Sequence, residues 1–361
     1  MENRQEYFSP LELLRRKLGS FSDCAVITGD INRRYFTQMK SSAGTLVVFS
    51  EKAYLIIDFR YIEKARKTAR DCEVILQDNL YEQINKLLKK HNAGKVSVEA
   101  DNMTISQLSE FSDKLDCGID SSRALSECIG EIRVCKRVEE IEKITAAQRI
   151  AEKAFEHILD YIKIGRTERE IALELDYFML RNGAEALSFD TIALSGKITS
   201  LPHGVPSDKK VENGDFVLMD YGAVVDGWHS DMTRTVCAGQ PSDEMIKVYD
   251  IVLRAQLAGL SAVKAGISGA ELDKTARGVI EAEGYGGYFG HALGHGVGME
   301  IHEAPTASPS CKNVLEKNMI VTVEPGIYIP EKFGVRIEDF AVVAENGCKN
   351  LTKAPKELII L

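Results

Sequence analysis

Two stretches of this chain lead an apolar run into an acid and then, after one residue, a glycine: Val217-Leu218-Met219-Asp220-Tyr221-Gly222 and Val321-Thr322-Val323-Glu324-Pro325-Gly326. A second acid follows each, Asp231 eleven residues after Asp220 and Glu338 fourteen after Glu324. A carboxylate at the end of an apolar strand is expensive if it points inward unpaired, so something positive must meet these four. Arg234 and Arg336 could do so in ion pairs, but two guanidiniums leave the set about two charges short. Two divalent cations would balance it, with His295 as a neutral fifth ligand. An oxygen-rich set with one imidazole and no thiolate suits manganese, iron(II) or cobalt better than a sulfur-rich zinc site would. The expected ligands are therefore Asp220, Asp231, His295, Glu324 and Glu338, holding two ions per chain: manganese first, with cobalt, zinc or iron as alternatives.

The histidines point the same way. Four of the seven fall in two places, His203 in Pro202-His203-Gly204 and His291, His295 and His302 within a twelve-residue span. Gly294, Gly296 and Gly298 around His295 allow the close backbone approach that a metal or substrate would need. His91, His157 and His229 read as ordinary packing or surface residues, His229 being the doubtful one for its closeness to Asp231.

The elements that must position these groups can be read from periodicity. In the first third, Ala25–Thr28, Thr45–Phe49, Tyr54–Ile57, Glu73–Leu76 and Val96–Glu99 read as strands, and Pro10–Leu18, Tyr61–Ala69 and Leu80–His91 as helices. Such alternation predicts an α/β sheet covered by helices. A boundary is expected near Ser121–Gly130, giving domains 1–130 and 131–361. A long helix follows from Lys136 to Ile162, and Thr167-Glu168-Arg169-Glu170 has the form of a capping box opening a second. Two more helices, over 242–265 and 268–283, precede the second acid-bearing strand. The spacing thus predicts a pseudo-symmetric pair of helix-helix-strand-strand units, each contributing two acids to one centre.

Composition narrows the function class. With 361 residues, 44% apolar and 27% charged, the chain has material for two globular domains and no stretch able to span a bilayer. Met1-Glu2-Asn3-Arg4 begins polar and no signal-peptide stretch follows, so the protein is expected to stay in the cytoplasm. Eight cysteines without a C-x-x-C pair read as packing thiols. A net charge of −9 without a basic block argues against nucleic acid.

Asp220-Tyr221-Gly222-Ala223 with Asp231, Gly294-His295-Gly296-Val297-Gly298 with His302-Glu303, Val323-Glu324-Pro325-Gly326-Ile327-Tyr328, and Val335-Arg336-Ile337-Glu338-Asp339 together resemble the successive signatures of the pita-bread metallopeptidases. That family includes methionine aminopeptidase, aminopeptidase P and prolidase. All five of its ligand positions are matched in order and type from Arg133 onward, and the preceding α/β region is similar to the N-terminal domain of aminopeptidase P, prolidase and creatinase. The resemblance implies an α/β N-terminal domain joined to an α+β pita-bread catalytic domain with a pseudo-twofold repeat. It implies that Asp231 and Glu338 bridge two ions, that Asp220 chelates one, and that His295 and Glu324 hold the other. Glu324 would also accept the proton of an attacking water, and His302 would donate to the developing oxyanion. His203 and His291 would line the proline side, while Tyr328 and Arg336 orient the carboxylates or serve as a core tyrosine and a plain ion pair.

The function this implies is an Xaa-Pro aminopeptidase acting on peptides with proline second, as a homodimer. The Xaa-Pro dipeptidase, or prolidase, is the near alternative. A metal-free creatinase-like hydrolase and a non-catalytic binding protein are more distant, since neither would keep every ligand. Thr306 stands where some prolidases have an arginine for the dipeptide's carboxylate, which tilts the expectation toward the aminopeptidase. Arg33, Arg34 and Tyr35 could reach across a dimer or form an ordinary surface turn.

Overall fold

The computed structural model describes residues 8–361, so the polar opening Met1-Glu2-Asn3-Arg4 lies outside the described residues. The chain divides into two compact units between Arg133 and Val134. Gly130, the expected end of the first domain, lies inside a helix, Ala124–Val134.

In the first unit the order is α1 (Pro10–Leu18), β1 (Cys24–Ile27), α2 (Asp30–Thr37), β2 (Thr45–Phe49), β3 (Ala53–Ile57), α3 (Ile62–Thr68), β4 (Glu73–Leu76), α4 (Leu80–Lys90), β5 (Lys95–Val98), α5 (Ile105–Lys114), β6 (Gly118–Asp120) and α6 (Ala124–Val134). They build one six-stranded sheet in the order β4-β3-β2-β1-β5-β6, in which β2 alone runs antiparallel to its neighbours. β1, β2 and β3 are buried along their whole length, which is why their sequences are unbroken apolar runs rather than alternating ones. Capping boxes at Ser9/Glu12 and Thr104/Gln107 start α1 and α5.

Three of these helices escape a reading by periodicity, and two show why. In α5 only Phe111 is buried, so there is no apolar stripe to see. In α2 one of the buried positions is Arg33, so the polar and buried patterns disagree. Arg33 is neither a surface turn nor free to reach a partner: its guanidinium donates to the carbonyls of Thr28, Ser41 and Gly44 and ties the start of α2 to the loop before β2. Tyr35 is likewise buried, its hydroxyl donating to the Ile132 carbonyl.

The second unit opens with α7 (Val138–Tyr161) and α8 (Glu168–Arg181), the latter entered through the Thr167/Glu170 capping box. Strands β7 (Ala186–Leu187), β8 (Ile192–Ser195), β9 (Asp215–Tyr221), β10 (Ala223–Val225), β11 (Trp228–His229) and β12 (Met232–Ala238) follow. Then α9 (Asp243–Ala262) and α10 (Gly269–Ala282) lead to β13 (Gly294–Gly296), β14 (Glu303–Ala307), β15 (Ile320–Val323), β16 (Gly326–Ile329), β17 (Phe333–Arg336), β18 (Asp339–Ala344) and β19 (Gly347–Asn350). Each half therefore pairs two packed helices with an antiparallel strand pair, β9 with β12 and β15 with β18. Each half also has its own core. Ala151, Phe155, Leu175 and Met179 of α7 and α8 pack against β9 and β12, and Val248, Val252, Leu272 and Ile280 of α9 and α10 pack against β15 to β17.

The halves are joined by a buried guanidinium. Arg234 on β12 donates to the carbonyls of Thr233, Glu338, Ala354 and Pro355 and to the Asp339 carboxylate at 2.7 Å. It thereby holds β12, β18 and the C-terminal segment together with every donor spent. Arg234→Leu should lower unfolding stability by about 3–5 kcal/mol, because it strands four carbonyls and weakens the hold on buried Asp339. Urea unfolding that moved by less than 1 kcal/mol, about the worth of an exposed pair, would show the junction to be held by packing alone.

Candidate metal centre and substrate cleft

A cleft of about 420 Å³ opens in the second unit, and its lining includes all five expected ligands together with His203, His291, His302, Thr306 and Arg336. Residues separated by more than a hundred positions meet there because four strand systems converge. Asp220 lies on β9, flanked in register by Ile192 of β8 and Thr233 of β12. Asp231 directly precedes β12, Glu324 directly follows β15 and Glu338 directly precedes β18. His295 sits in the middle of β13.

The inner part of the set is tight. One ligand atom each from Asp231, His295 and Glu338 lie within 4.8 Å of one another. His295 Nε2 is 3.5 Å from Asp231 Oδ2 and 3.4 Å from Glu324 Oε1. Its Nδ1–H donates to the Gly296 carbonyl at 3.0 Å, which leaves the Nε2 lone pair turned toward the acids. Burial holds the imidazole's pKa below its usual value, which favours the neutral ring.

The ion-pair alternative is only half realised. Arg336 meets Asp220 Oδ2 at 2.5 Å, whereas Arg234 turns to Asp339, so one guanidinium faces four carboxylates. Burial, and then the charges of neighbouring acids, push the Asp231 and Glu338 carboxyls well above the usual carboxylate range. Burial also raises Glu324, to about 8, against the opposing pull of Arg336. Moreover, Asp220 Oδ1 and Glu338 Oε1 are buried without a hydrogen-bond partner. Orphaned carboxyl oxygens converging on a free imidazole lone pair are what a pair of hard divalent cations would satisfy, so the donor set fits the metals expected.

Around the set runs a hydrogen-bonded shell that the sequence reading only partly anticipated. Arg336 donates to the Tyr328 hydroxyl at 2.9 Å, and that hydroxyl faces His291 Nε2 at 2.9 Å. Because His291 Nδ1–H is spent on the Ala292 carbonyl, Tyr328 is the donor to Nε2. Tyr328 and Arg336 thus belong to one chain leading from His291 to Asp220. Two threonines were missed. The Thr233 hydroxyl donates to Glu338 Oε2 at 2.7 Å while accepting from Arg336 Nε, and the Thr322 hydroxyl donates to Glu324 Oε1 while accepting the His295 N–H. The available signal was strand alternation: each threonine lies two residues from a ligand and so on the same face. The Asp273–Arg277 pair on α10 was missed as well; it ties down the carbonyls of Phe289 and His291 and the N–H of Leu293.

The glycines around His295 serve a purpose other than the one expected. A Cβ on Gly294 would fall 2.0 Å from the Thr322 carbonyl, one on Gly296 2.1 Å from the Ala304 carbonyl, and one on Gly298 2.2 Å from the Glu303 carboxylate. It is neighbouring protein that approaches closely there, drawing β13 onto β14 and β15. Buried Lys136 completes that corner with an ion pair to Glu303.

His302 sits at the cleft with its ring 4.3 Å from that of His295, and His203 is exposed beside it. The remaining histidines lie outside the cleft lining: His91 stacks on Phe49, His157 pairs with Glu174, and His229 bonds the Ser188 hydroxyl. All eight cysteines are free thiols. Among the described residues no helix is long and apolar enough to cross a membrane.

Comparison with known proteins agrees with this architecture. Residues 12–135 match the creatinase/prolidase N-terminal domain and residues 142–345 match metallopeptidase family M24. The chain is 39% identical to an Xaa-Pro dipeptidase of Pyrococcus furiosus over 338 residues, covering 93% of this chain and 95% of that one. Among solved structures it is similar to an Xaa-Pro dipeptidase from Bacillus anthracis, at 42% identity and a TM-score of 0.94 over 98% of this chain and 99% of that one. It is also similar to an X-Pro aminopeptidase from Thermotoga maritima, at 36% identity and a TM-score of 0.89 over 96% and 99%. With its fold, its five converging donors and these relatives taken together, the chain belongs to metallopeptidase family M24 and is a hydrolase of the pita-bread fold.

Proposed function

We propose that this metallopeptidase is an Xaa-Pro dipeptidase, releasing proline from a dipeptide. The observation that carries the reading is the convergence of Asp220, Asp231, His295, Glu324 and Glu338, with two orphaned carboxylate oxygens, in a cleft of about 420 Å³. A cleft near the small end of the range for small-molecule sites suits a dipeptide better than an extended peptide. The relatives named dipeptidase also favour it over the aminopeptidase that Thr306 suggested. The Thermotoga relative keeps the aminopeptidase as the second reading.

The five residues would hold two divalent cations, with manganese or cobalt best matched to an oxygen-rich set. When bound, such a pair supplies Lewis acidity, lowering the pKa of water and polarising the scissile carbonyl. The chain's own groups do the rest. Glu324, a half-buried carboxylate whose Oε1 is anchored by Thr322, accepts the attacking water's proton and returns it to the nitrogen of the leaving proline. His302 donates an N–H to the carbonyl oxygen as charge develops there. Burial lowers its pKa, which favours the neutral ring as the donor. Proline brings no N–H to the scissile bond and needs no acceptor, so its ring can rest against Pro202, Ala292, His203 and His291. A homodimer completes the proposal, on the strength of the resemblance.

Turnover of Ala-Pro and Ala-Pro-Ala separates the two peptidase readings. The dipeptide should be cleaved with the higher kcat/KM, and a preference for the tripeptide would restore the aminopeptidase.

Metal binding and transition-state stabilisation should come apart in two variants. Asp231→Ala is expected to empty at least one metal position and abolish turnover. His302→Ala should keep its metal content while kcat falls about 10²- to 10³-fold. Loss of metal from His302→Ala would make His302 a ligand instead.

His291 gives the cleft a stability signature. Burial, then the nearby Arg336 charge, lowers its pKa to about 4, against about 6.5 in an unfolded chain. Between those values the unfolded chain binds more protons, so His291 makes stability fall as pH drops from about 6.5 to 4 and adds no further slope below. In metal-free protein, His291→Phe should lack this component. The urea-unfolding free energy of wild type relative to the variant should decline across that window by on the order of 3 kcal/mol. A constant difference would mean that His291 is protonated in the fold.

A further inference from the structure

We propose that Asp190 is the residue through which this enzyme reads a positive charge on the first residue of its substrate, an inference that rests on the Xaa-Pro reading above. Five acids line the cleft, and Asp190 is the one outside the proposed ligand set. It lies just before β8, where the backbone alternates: Asp190 and Ile192 line the cleft, and Thr191 between them turns inward, its hydroxyl donating to Asp176 Oδ1 at 2.5 Å. Ile192 is paired in register with Asp220. Two residues of extended chain span about 7 Å, so Asp190 stands about that far along the strand from the residue facing the cluster.

The scissile carbonyl must sit at that cluster, which puts the substrate's first residue beside β8. Its α-ammonium lies next to the reacting carbon, and an extended lysine side chain carries its charge about 6 Å farther out. Either charge can be answered from the position of Asp190. Phe189 and Ile192 flank the carboxylate with apolar surface suited to the methylenes of a long side chain.

Among the described residues no cation answers Asp190. The only arginine in the lining, Arg336, is buried and spent on Asp220, Tyr328 and Thr233, and no lysine lines the cleft. Among the described residues Asp190 makes no hydrogen bond or ion pair of its own and is exposed at the cleft. Its charge is felt by its neighbour: Asp176, whose carboxyl is raised chiefly by burial, is raised further by Asp190. An exposed acid in a locally negative environment, on the wall of a cleft whose other acids are committed, is suited to a cationic group that arrives with the substrate.

The test compares lysyl-proline with norleucyl-proline, which have side chains of similar length with and without charge, on wild type and Asp190→Asn, with metal content measured in both. If the side-chain charge is read, the variant loses about three- to tenfold in kcat/KM on lysyl-proline and nothing on norleucyl-proline. If the α-ammonium is read, it loses the same factor on both. Either result assigns the role to Asp190 and identifies which charge it reads. A change under twofold on both substrates, with metal content unchanged, overturns the proposal and leaves the Xaa-Pro reading standing. A wild type that cleaves neither dipeptide removes that reading and this inference with it. Should Asp190→Asn fold poorly, Asp190→Glu against Asp190→Gln makes the same comparison: the Glu variant is expected to keep most of the discrimination and the Gln variant to lose it, and equal behaviour of the two rejects the proposal.

Discussion

Two like charges 4 Å apart repel by about 4 kcal/mol at an effective dielectric near 20, and the second unit gathers five carboxylates around one cleft, four of them in the proposed ligand set, with a single guanidinium among them. Burial first, and the charges of neighbouring acids after it, push the carboxyls of Asp231, Glu324 and Glu338 upward, which favours their protonated forms in the protein alone. Divalent cations held by these residues would relieve the same repulsion without protons. The strain that makes the protein alone an unfavourable container for these acids is thus the basis of its affinity for metal.

Such a cluster is useful only if its members cannot swing apart, and the surrounding structure is arranged to prevent that. Thr233 and Thr322 each hold one carboxylate oxygen, Arg336 holds Asp220, and the Tyr328 hydroxyl carries the same chain to His291. Beneath them, Arg234 closes the junction of the two halves with donors to four carbonyls. The three glycines of β13 and the segment after it contribute by having no side chain, which lets the strand carrying His295 lie against β14 and β15. Ligand geometry here depends on backbone-to-backbone distance as much as on the ligands.

The internal duplication gives this arrangement an economical origin. Each half supplies two packed helices, an antiparallel strand pair and two acids, and each half has an apolar core of its own. The halves are not equivalent at the centre, however. The second alone contributes His295 and His302, and the first alone contributes β8 with Phe189, Asp190 and Ile192. A symmetric scaffold therefore carries an asymmetric cleft, as a peptidase that must tell the two sides of a scissile bond apart requires.

What the sequence determined by itself was whatever depends on local periodicity and on residue type: the buried strands of the first unit, the capped helices of the second, the duplicated acid-bearing strands, and the five acid and histidine positions that line one cleft. Those features are legible because an apolar run ending in an acid has few stable solutions. The rest needed the tertiary structure. Helix α2 was hidden because a buried arginine satisfied by three carbonyls looks like a surface residue, and α5 because it buries a single side chain. The glycines by His295 were assigned to a metal or substrate, since sequence cannot say whose atoms fill the space a Cβ would take. Nor could it say that Arg234 turns to Asp339 while Arg336 turns to Asp220, a choice made by strand register across about a hundred residues. Thr233, Thr322 and Asp190 acquire meaning only beside the groups they face, because a hydroxyl or a lone carboxylate has no signature of its own until the fold supplies its neighbours.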